Sequence, residues 1–331
     1  MSELVSILIP AYNAQKWISQ TINSALSQTW PNKEIIIVDD GSRDNTFTIA
    51  KQFESSNLKI VSQENKGASA ARNKALEYAQ GDYIQWLDAD DLLASNKIST
   101  QMEFSESDPK RLTLYTSSHG TFYWRPEKAK FLPSPLWTDL SPAEWMITKL
   151  SKKLWMPNSG WLVSRRLTEK VGPWNEQLSL DDDGEYFCRI VAASEKIKFV
   201  REAKIYYRQS GTGQLSRSTS DKAFQSVFLS HKLIIQHLLS LEDSEKTRRA
   251  GVKSLLGLYQ FLYPDHVKLL NDIETLIIEL GSPLISPMFE WKLDTLRRFF
   301  GWKTAKNIID ASHKLKLAAA VKWDEILYRI S

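Results

Sequence analysis

Cysteine is nearly absent from this chain. Cys188 is the only one among 331 residues, which excludes an intrachain disulfide and any multi-cysteine zinc site. A reducing compartment suits such a chain, and Cys188 reads as a small apolar core residue. Long apolar runs are missing too: none approaches the roughly 20 residues that cross a bilayer, so membrane contact is expected only at the surface. The N-terminus, Met1-Ser-Glu-Leu-Val-Ser-Ile-Leu-Ile-Pro10, carries an early acid and no basic flank, so it does not read as a secretory signal and residence in the cytoplasm is expected. The five histidines, His119, His231, His237, His266 and His313, show no close metal-ligand spacing.

What is present is the composition of a globular protein, 42% hydrophobic and 25% charged. A formal charge of +4 tolerates an anionic partner without demanding nucleic acid. The 12 tryptophans are an oddity, read either as core or as platforms for the apolar faces of sugars.

Along the chain, Val5 to Ile9 is a β-branched run closed by Pro10, and Asn13 is expected to cap a helix through Trp17, Ile18, Ile22, Ala25 and Leu26. Glu34 to Val38 repeats the pattern and ends in Asp39-Asp40-Gly41-Ser42, with Asp44-Asn45 opening a second helix. Leu58 to Val61 is a third strand, Gly67 to Ala79 a third helix, and Tyr83 to Leu87 a fourth strand stopped by Asp88-Ala-Asp-Asp91. Three such alternations predict an α/β fold with a mostly parallel, doubly wound sheet. Ligands of such sheets lie beyond the carboxyl ends of the strands, where Tyr12-Asn13, Asp39-Asp40 and Asp88 to Asp91 fall. Leu112 to Trp161 reads as short aromatic-rich strands, Tyr206 to Ser220 as a mobile loop or boundary, and the remainder as helices.

The first turn, Pro10-Ala-Tyr-Asn13, lacks the Gly-x-Gly-x-x-Gly of dinucleotide-binding sheets, which disfavours a nicotinamide enzyme. Asp88 and Asp90 point to one side of an extended segment, where hard oxygen ligands suit Mg²⁺ or Mn²⁺ against a diphosphate. Acids before a helix are also common caps, and Asp91 is read as one.

Four blocks in order resemble the family 2 glycosyltransferases: Val5-Ser-Ile-Leu-Ile-Pro-Ala-Tyr-Asn13, Ile37-Val-Asp-Asp-Gly-Ser42, Asn65-Lys-Gly-Ala-Ser-Ala-Ala-Arg-Asn73 and Trp86-Leu-Asp-Ala-Asp-Asp91. The resemblance implies a GT-A fold over residues 1–215, with the nucleotide sugar held by about 1–110, the acceptor side formed by 111–215, and a helical region over 216–331. Carried over by position, Pro10, Ala11, Tyr12, Asn13, Asp39, Asp40, Ser42, Lys66 and Arg72 would face the nucleotide, with Asp39 accepting from a uracil imide. Asp88 would face the ribose or metal waters and Asp90 would bind Mn²⁺ or Mg²⁺ directly. A later block, Trp174-Asn-Glu-Gln-Leu-Ser-Leu-Asp-Asp-Asp-Gly-Glu-Tyr-Phe-Cys-Arg189, resembles the family segment whose acidic pair precedes a helix. Asp182 and Asp183 fall on that pair, in a register uncertain by one residue because of Asp181, and Asp183 is read as the general base of an inverting transfer. Asp181 is read as a solvated helix-terminal charge. Arg208 and Arg217 would lie in a loop over the donor phosphates, and Trp161 would stand nearest the acceptor.

The implied partners are a nucleotide-diphosphate sugar, UDP-linked by default, and a glycan or lipid-linked acceptor. Between Trp291 and Ser331 nine Lys and Arg face four Asp and Glu with aromatics interspersed, so this tail either packs on the catalytic domain or lies on the inner membrane face. A phosphohydrolase fits poorly because its Asp-x-Asp belongs on the first strand. A nucleotidyltransferase would want a glycine-rich basic first loop, and a non-catalytic nucleotide-sugar binder would not need Asp90 and Asp183.

Overall fold

The computed structural model describes residues 2–209, 220–283 and 291–330. Strand β1 (Val5–Ala11) is buried along nearly its whole length, as a central parallel strand must be. It pairs in parallel with β2 (Lys33–Asp39) and β4 (Tyr83–Trp86), and β2 pairs in parallel with β3 (Leu58–Ser62). The sheet order is β3-β2-β1-β4-β7, with β7 (Val163–Ser164) antiparallel to β4. Helices α1 (Ile18–Leu26), α2 (Thr46–Lys51) and α3 (Ala68–Tyr78) make the crossovers. The chain thus has the expected α/β architecture, a parallel-dominated sheet with helices following.

A second, three-stranded sheet stands beyond β4, ordered β5-β8-β6: β5 (Leu92–Leu93), β8 (Lys196–Arg208) and β6 (Thr113–Phe122). Its length corrects the expectation of short strands after Leu112. Ten residues of β6 pair with β8, shifted by a bulge at Ser117/Ser118. After it comes helix α5 (Pro142–Lys152), started by a capping box between Ser141 and Glu144. Helix α4 (Lys97–Met102) follows β5, and α6 (Arg165–Val171) and α7 (Asp182–Ala193) precede β8.

Asn13 does not cap α1. That helix begins at Ile18, while Asn13 adopts φ 50° and its carboxamide oxygen accepts from Arg43 N at 2.9 Å. A positive φ suits asparagine in a tight turn and removes it from the helix start.

Helices α8 (Asp221–Leu241), α9 (Glu245–Leu262) and α10 (Val267–Glu279) share a core around Ile235, Leu255 and Ile273. The opposite faces of α8 and α9 join the main core through Ile234, Leu238 and Ala250. The 215/216 boundary lies outside the described residues. Helix α11 (Trp291–Ile330) is broken at Gly301, φ 74°, and its last turns dock on the loop after β6, where Asp324 accepts from Trp124 N at 2.9 Å and Arg125 Nε at 2.8 Å.

Candidate active site

The carboxyl ends of β1 and β2 form one wall of a cleft. Asp39 is buried, one carboxylate oxygen accepting from Ser42 N at 3.2 Å and the other having no partner. An orphaned buried carboxylate oxygen is costly and rare, so this one is suited to a ligand donor. Asp40 acts instead on the neighbouring loop. Its carboxylate accepts from Lys66 N and Gly67 N, each at 2.9 Å, and from Gln63 Nε2 at 2.8 Å, which fixes residues 63–67. Gly41 makes this possible, because at φ 70° an added Cβ would lie 2.8 Å from Asn65 N. Ser42 Oγ accepts from Asn13 N at 3.0 Å, joining the two turns. Pro10 and Ala11 end β1, Tyr12 is half exposed, and Lys66 projects from the surface.

Arg72, on α3, ties the distant acids together. Its guanidinium donates to Asp182 at 2.7 Å and to Asp88 at 3.0 Å, and it lies 4.4 Å from the ring centre of Trp174. Burial pulls its pKa down, but Asp182, Asp88 and Asp183 more than offset that, and it stays charged. Ser69 Oγ also donates to Asp182 at 2.8 Å, while Asn158 Nδ2 clamps both oxygens of Asp88 at 3.1 and 3.0 Å. Asp182 is therefore committed to the bridge between Arg72 and Ser69, and Asp183 is the acid beside it.

Asp183 sits in the first turn of α7, partly buried. Burial first, then the neighbouring charges of Asp182 and Asp181, push its carboxyl up to about 7, against the opposing pull of Arg72. Such a group is half ionised near neutrality, as a general base requires. Asp181 is held rather than solvated: it takes φ 58° and accepts from Ser230 Oγ of α8 at 2.6 Å. Gly184 leaves the room for this, since a side chain there would strike the Asp181 carboxylate.

After β4, Asp90 is partly buried and its carbonyl accepts from Arg208 Nε at 2.7 Å. Asp91 is not a surface cap. It is fully buried, accepting from Arg208 N at 2.9 Å and Ser159 Oγ at 3.0 Å, and burial raises its pKa well above the usual carboxylate range. Below it, Gln85 Nε2 donates to Ser159 O at 2.9 Å, and the buried Lys97 amine donates to Gln85 Oε1 and, at 3.1 Å, to Trp161 O. Burial lowers the Lys97 pKa far below the ordinary lysine value. This polar chain anchors the 158–161 turn and with it the Asn158 clamp.

Two sequence-predicted residues sit elsewhere. Trp161 is in the core, stacked at 5.1 Å on Phe187 and edge-on to Trp145, with no face open to a sugar. Arg208 belongs to β8, because strand pairing runs on to Phe122↔Arg208; its guanidinium is buried between Trp17 and Phe122 and donates to Gln20 Oε1 at 2.7 Å. Arg217 lies outside the described residues. Ser69, Asn158, Gln85 and Lys97 went unseen in the sequence; Asn158 opens the Asn158-Ser-Gly-Trp161 segment, but Lys97 gives no signal at all. Among the described residues no group of three or more His, Cys, Asp or Glu could by itself hold a metal ion.

The sequence pattern of glycosyl transferase family 2 matches residues 6–169, the stretch that carries Asp39, Arg72, Asp88, Asp90 and Asn158. The chain is 48% identical over 107 residues to an Escherichia coli UDP-Glc:alpha-D-GlcNAc-diphosphoundecaprenol beta-1,3-glucosyltransferase, WfaP, a match covering 32% of this chain and 43% of that one. It therefore spans less than half the length of that relative. Glycosyltransferase GlyG of Streptococcus pneumoniae is 29% identical over 233 residues, 67% of this chain and 75% of its own. The fold matches residues 1–349 of Staphylococcus aureus TarS in complex with UDP-GlcNAc at a TM-score of 0.60 and 16% identity, covering 83% of this chain and 88% of that one. With the sequence pattern lying on the elements that build the cleft, and the surrounding fold agreeing, the chain belongs to the family 2 glycosyltransferases.

Proposed function

We propose that the cleft transfers a sugar from a nucleotide-diphosphate donor to a hydroxyl of a glycan or lipid-linked acceptor, inverting the anomeric carbon. The observation that carries this is Arg72, which joins Asp88 of the β4 end to Asp182 at the start of α7. Through it, two acidic groups far apart in sequence face one space. In this reading Asp183 takes the acceptor proton as the hydroxyl oxygen bonds to the anomeric carbon. The bond to the diphosphate breaks on the opposite side, and the nucleoside diphosphate departs with the electron pair. Asp39, Tyr12 and the turns around Asn13 and Ser42 would receive the base and ribose.

Asp90 and Asp88 offer the hard oxygen set of a Mn²⁺ or Mg²⁺ site that uses one or two carboxylates and completes its shell with substrate phosphates. Asp88 keeps acceptor capacity beyond its bonds to Arg72 and Asn158, since an ionised carboxylate has about four lone-pair sites. The cation, when bound, supplies Lewis-acid stabilisation of the leaving diphosphate. UDP is favoured because WfaP is named for UDP-Glc and the TarS structure holds UDP-GlcNAc; the WfaP name also motivates a lipid-diphosphate acceptor.

Among the described residues no helix is long and apolar enough to cross a membrane. The reading extends to peripheral contact through α11, whose one face docks by Asp324 while Leu315, Trp323, Ile326 and Ile330 line the other, with Trp323 64% exposed. Lys316, Lys322 and Arg329 border that stripe, the pattern of an interfacial helix. Flotation with anionic vesicles tests it: Trp323→Glu with Ile330→Glu should abolish binding, and unchanged flotation would remove the contact. Transfer itself is tested by incubating the enzyme with UDP-sugars and Mn²⁺; UDP release that depends on Asp183 and Asp90 supports the reading.

A further inference from the structure

Most tryptophans near the cleft are core residues: Trp86, Trp145, Trp161 and Trp174 are each 1% exposed. Trp155 is 46% exposed on the loop between α5 and the 158–160 turn. That loop also carries Asn158, three residues on, which clamps Asp88. The Trp155 ring lies 4.9 Å from that of Tyr207 and 5.2 Å from that of His119, and His119 in turn lies 5.3 Å from Trp137. A continuous aromatic wall results.

Its inner end meets the acids. Tyr207 precedes Arg208, whose N–H donates to Asp91 at 2.9 Å, and Tyr206 pairs with Leu92 of β5 just after the acidic segment. After burial, the charges of Asp91, Asp88, Asp90 and Asp183 raise the Tyr207 phenol further. His119 Nδ1 and Trp137 Nε1 are buried and have no partner, leaving polar edges within an otherwise apolar wall. Burial keeps the His119 imidazole neutral, down to about 4. Trp155 is the open face of this wall, an uncharged aromatic surface that suits the apolar face of a pyranose.

We propose that Trp155 and Tyr207 form the acceptor subsite, stacking the acceptor pyranose so that its reacting hydroxyl is directed toward Asp183. The assignment rests on the glycosyl-transfer reading and adds a specificity-determining surface to it. Nearly half of the Trp155 side chain is open to solvent, so a ligand can reach the ring beyond its contacts with Tyr207 and His119.

The test uses full-length enzyme, UDP-glucose and GlcNAc α-linked through diphosphate to a short or a long alkyl chain, comparing Trp155→Ala and Trp155→Phe with the parent. UDP-glucose hydrolysis without acceptor is read in parallel. Loss of one stacking partner should raise the acceptor KM about tenfold in Trp155→Ala, equally for both alkyl lengths, while Trp155→Phe stays within about threefold. The donor KM and the hydrolysis rate should not change. An acceptor KM in Trp155→Ala within twofold of the parent, or a penalty confined to the long alkyl chain, overturns the sugar platform while leaving glycosyl transfer standing. A parent enzyme that neither hydrolyses UDP-glucose nor transfers from it overturns the functional reading and the platform with it.

Discussion

Replacing Asp183 with Asn keeps the shape of the side chain and removes the carboxyl that the cleft sets near neutrality. Burial, then Asp182 and Asp181, hold it at about 7, so at pH 6 about one molecule in ten carries the ionised base, and at pH 8 about nine in ten. The parent kcat should rise about tenfold per pH unit below this inflection and level off above it. A divalent cation in the same cleft adds positive charge and shifts the inflection downward from that value. General-base catalysis contributes about 10²–10⁴ in rate, so Asp183→Asn should lose about that much kcat and its pH inflection, with donor affinity unchanged or tighter. Stability gives an independent reading. A carboxyl raised on folding binds a proton that the unfolded chain releases, so its ionisation removes stability as pH rises from about 4 toward 7. The Asn variant should therefore melt higher than the parent at pH 8 and no differently at pH 4. UDP release measured from pH 5.5 to 9, with thermal melts over the same range, tests both halves. A flat parent profile, or an Asn variant with kcat within threefold of the parent, would refute the assignment of Asp183 as base.

Substitutions at three other positions bear on how the cleft and the last helix are held. Arg72→Met strands the buried Asp182 and the partly buried Asp88 and should cost about 3–5 kcal/mol in urea unfolding, far more than a surface arginine. Asp91→Asn should be tolerated better than Asp91→Ala, which orphans Ser159 Oγ and Arg208 N at about 1–3 kcal/mol each; denaturation midpoints give the order. Asp324→Ala removes the acceptor for Trp124 N and Arg125 Nε, so amide exchange over the last turns of α11 should accelerate while the sheet stays protected. Asp324 loses solvation on burial, yet its bonds from Trp124 and Arg125 hold its pKa down, so this docking persists above the ordinary carboxylate range and weakens as pH falls through it.

The strand-helix periodicity read from the first hundred residues is what the sheet shows, because apolar runs such as Ile35 to Val38 can be buried on both faces only in a covered parallel sheet. The acids at strand ends were legible for the same reason: they stop the runs. Their pairing was not. Whether Asp182 or Asp183 is committed to an ion pair depends on Arg72 and Ser69, which lie more than a hundred positions away. Asp91 read as a cap because a local rule cannot see Arg208 N and Ser159 arriving from other elements. Trp161 and Trp155 could not be told apart locally, since their difference lies in tertiary packing: one is buried and stacks on Phe187, the other is half exposed beside Tyr207. Arg208 was placed in a loop because the Gly- and Ser-rich stretch after it masks the end of β8.

The most direct test follows UDP release from a panel of UDP-sugars with Mn²⁺, comparing the parent with Asp90→Asn and Asp183→Asn. One shared cleft predicts release by the parent and at least a hundredfold loss in each single variant. Equal release by all three proteins, or none by the parent with any sugar in the panel, would contradict it.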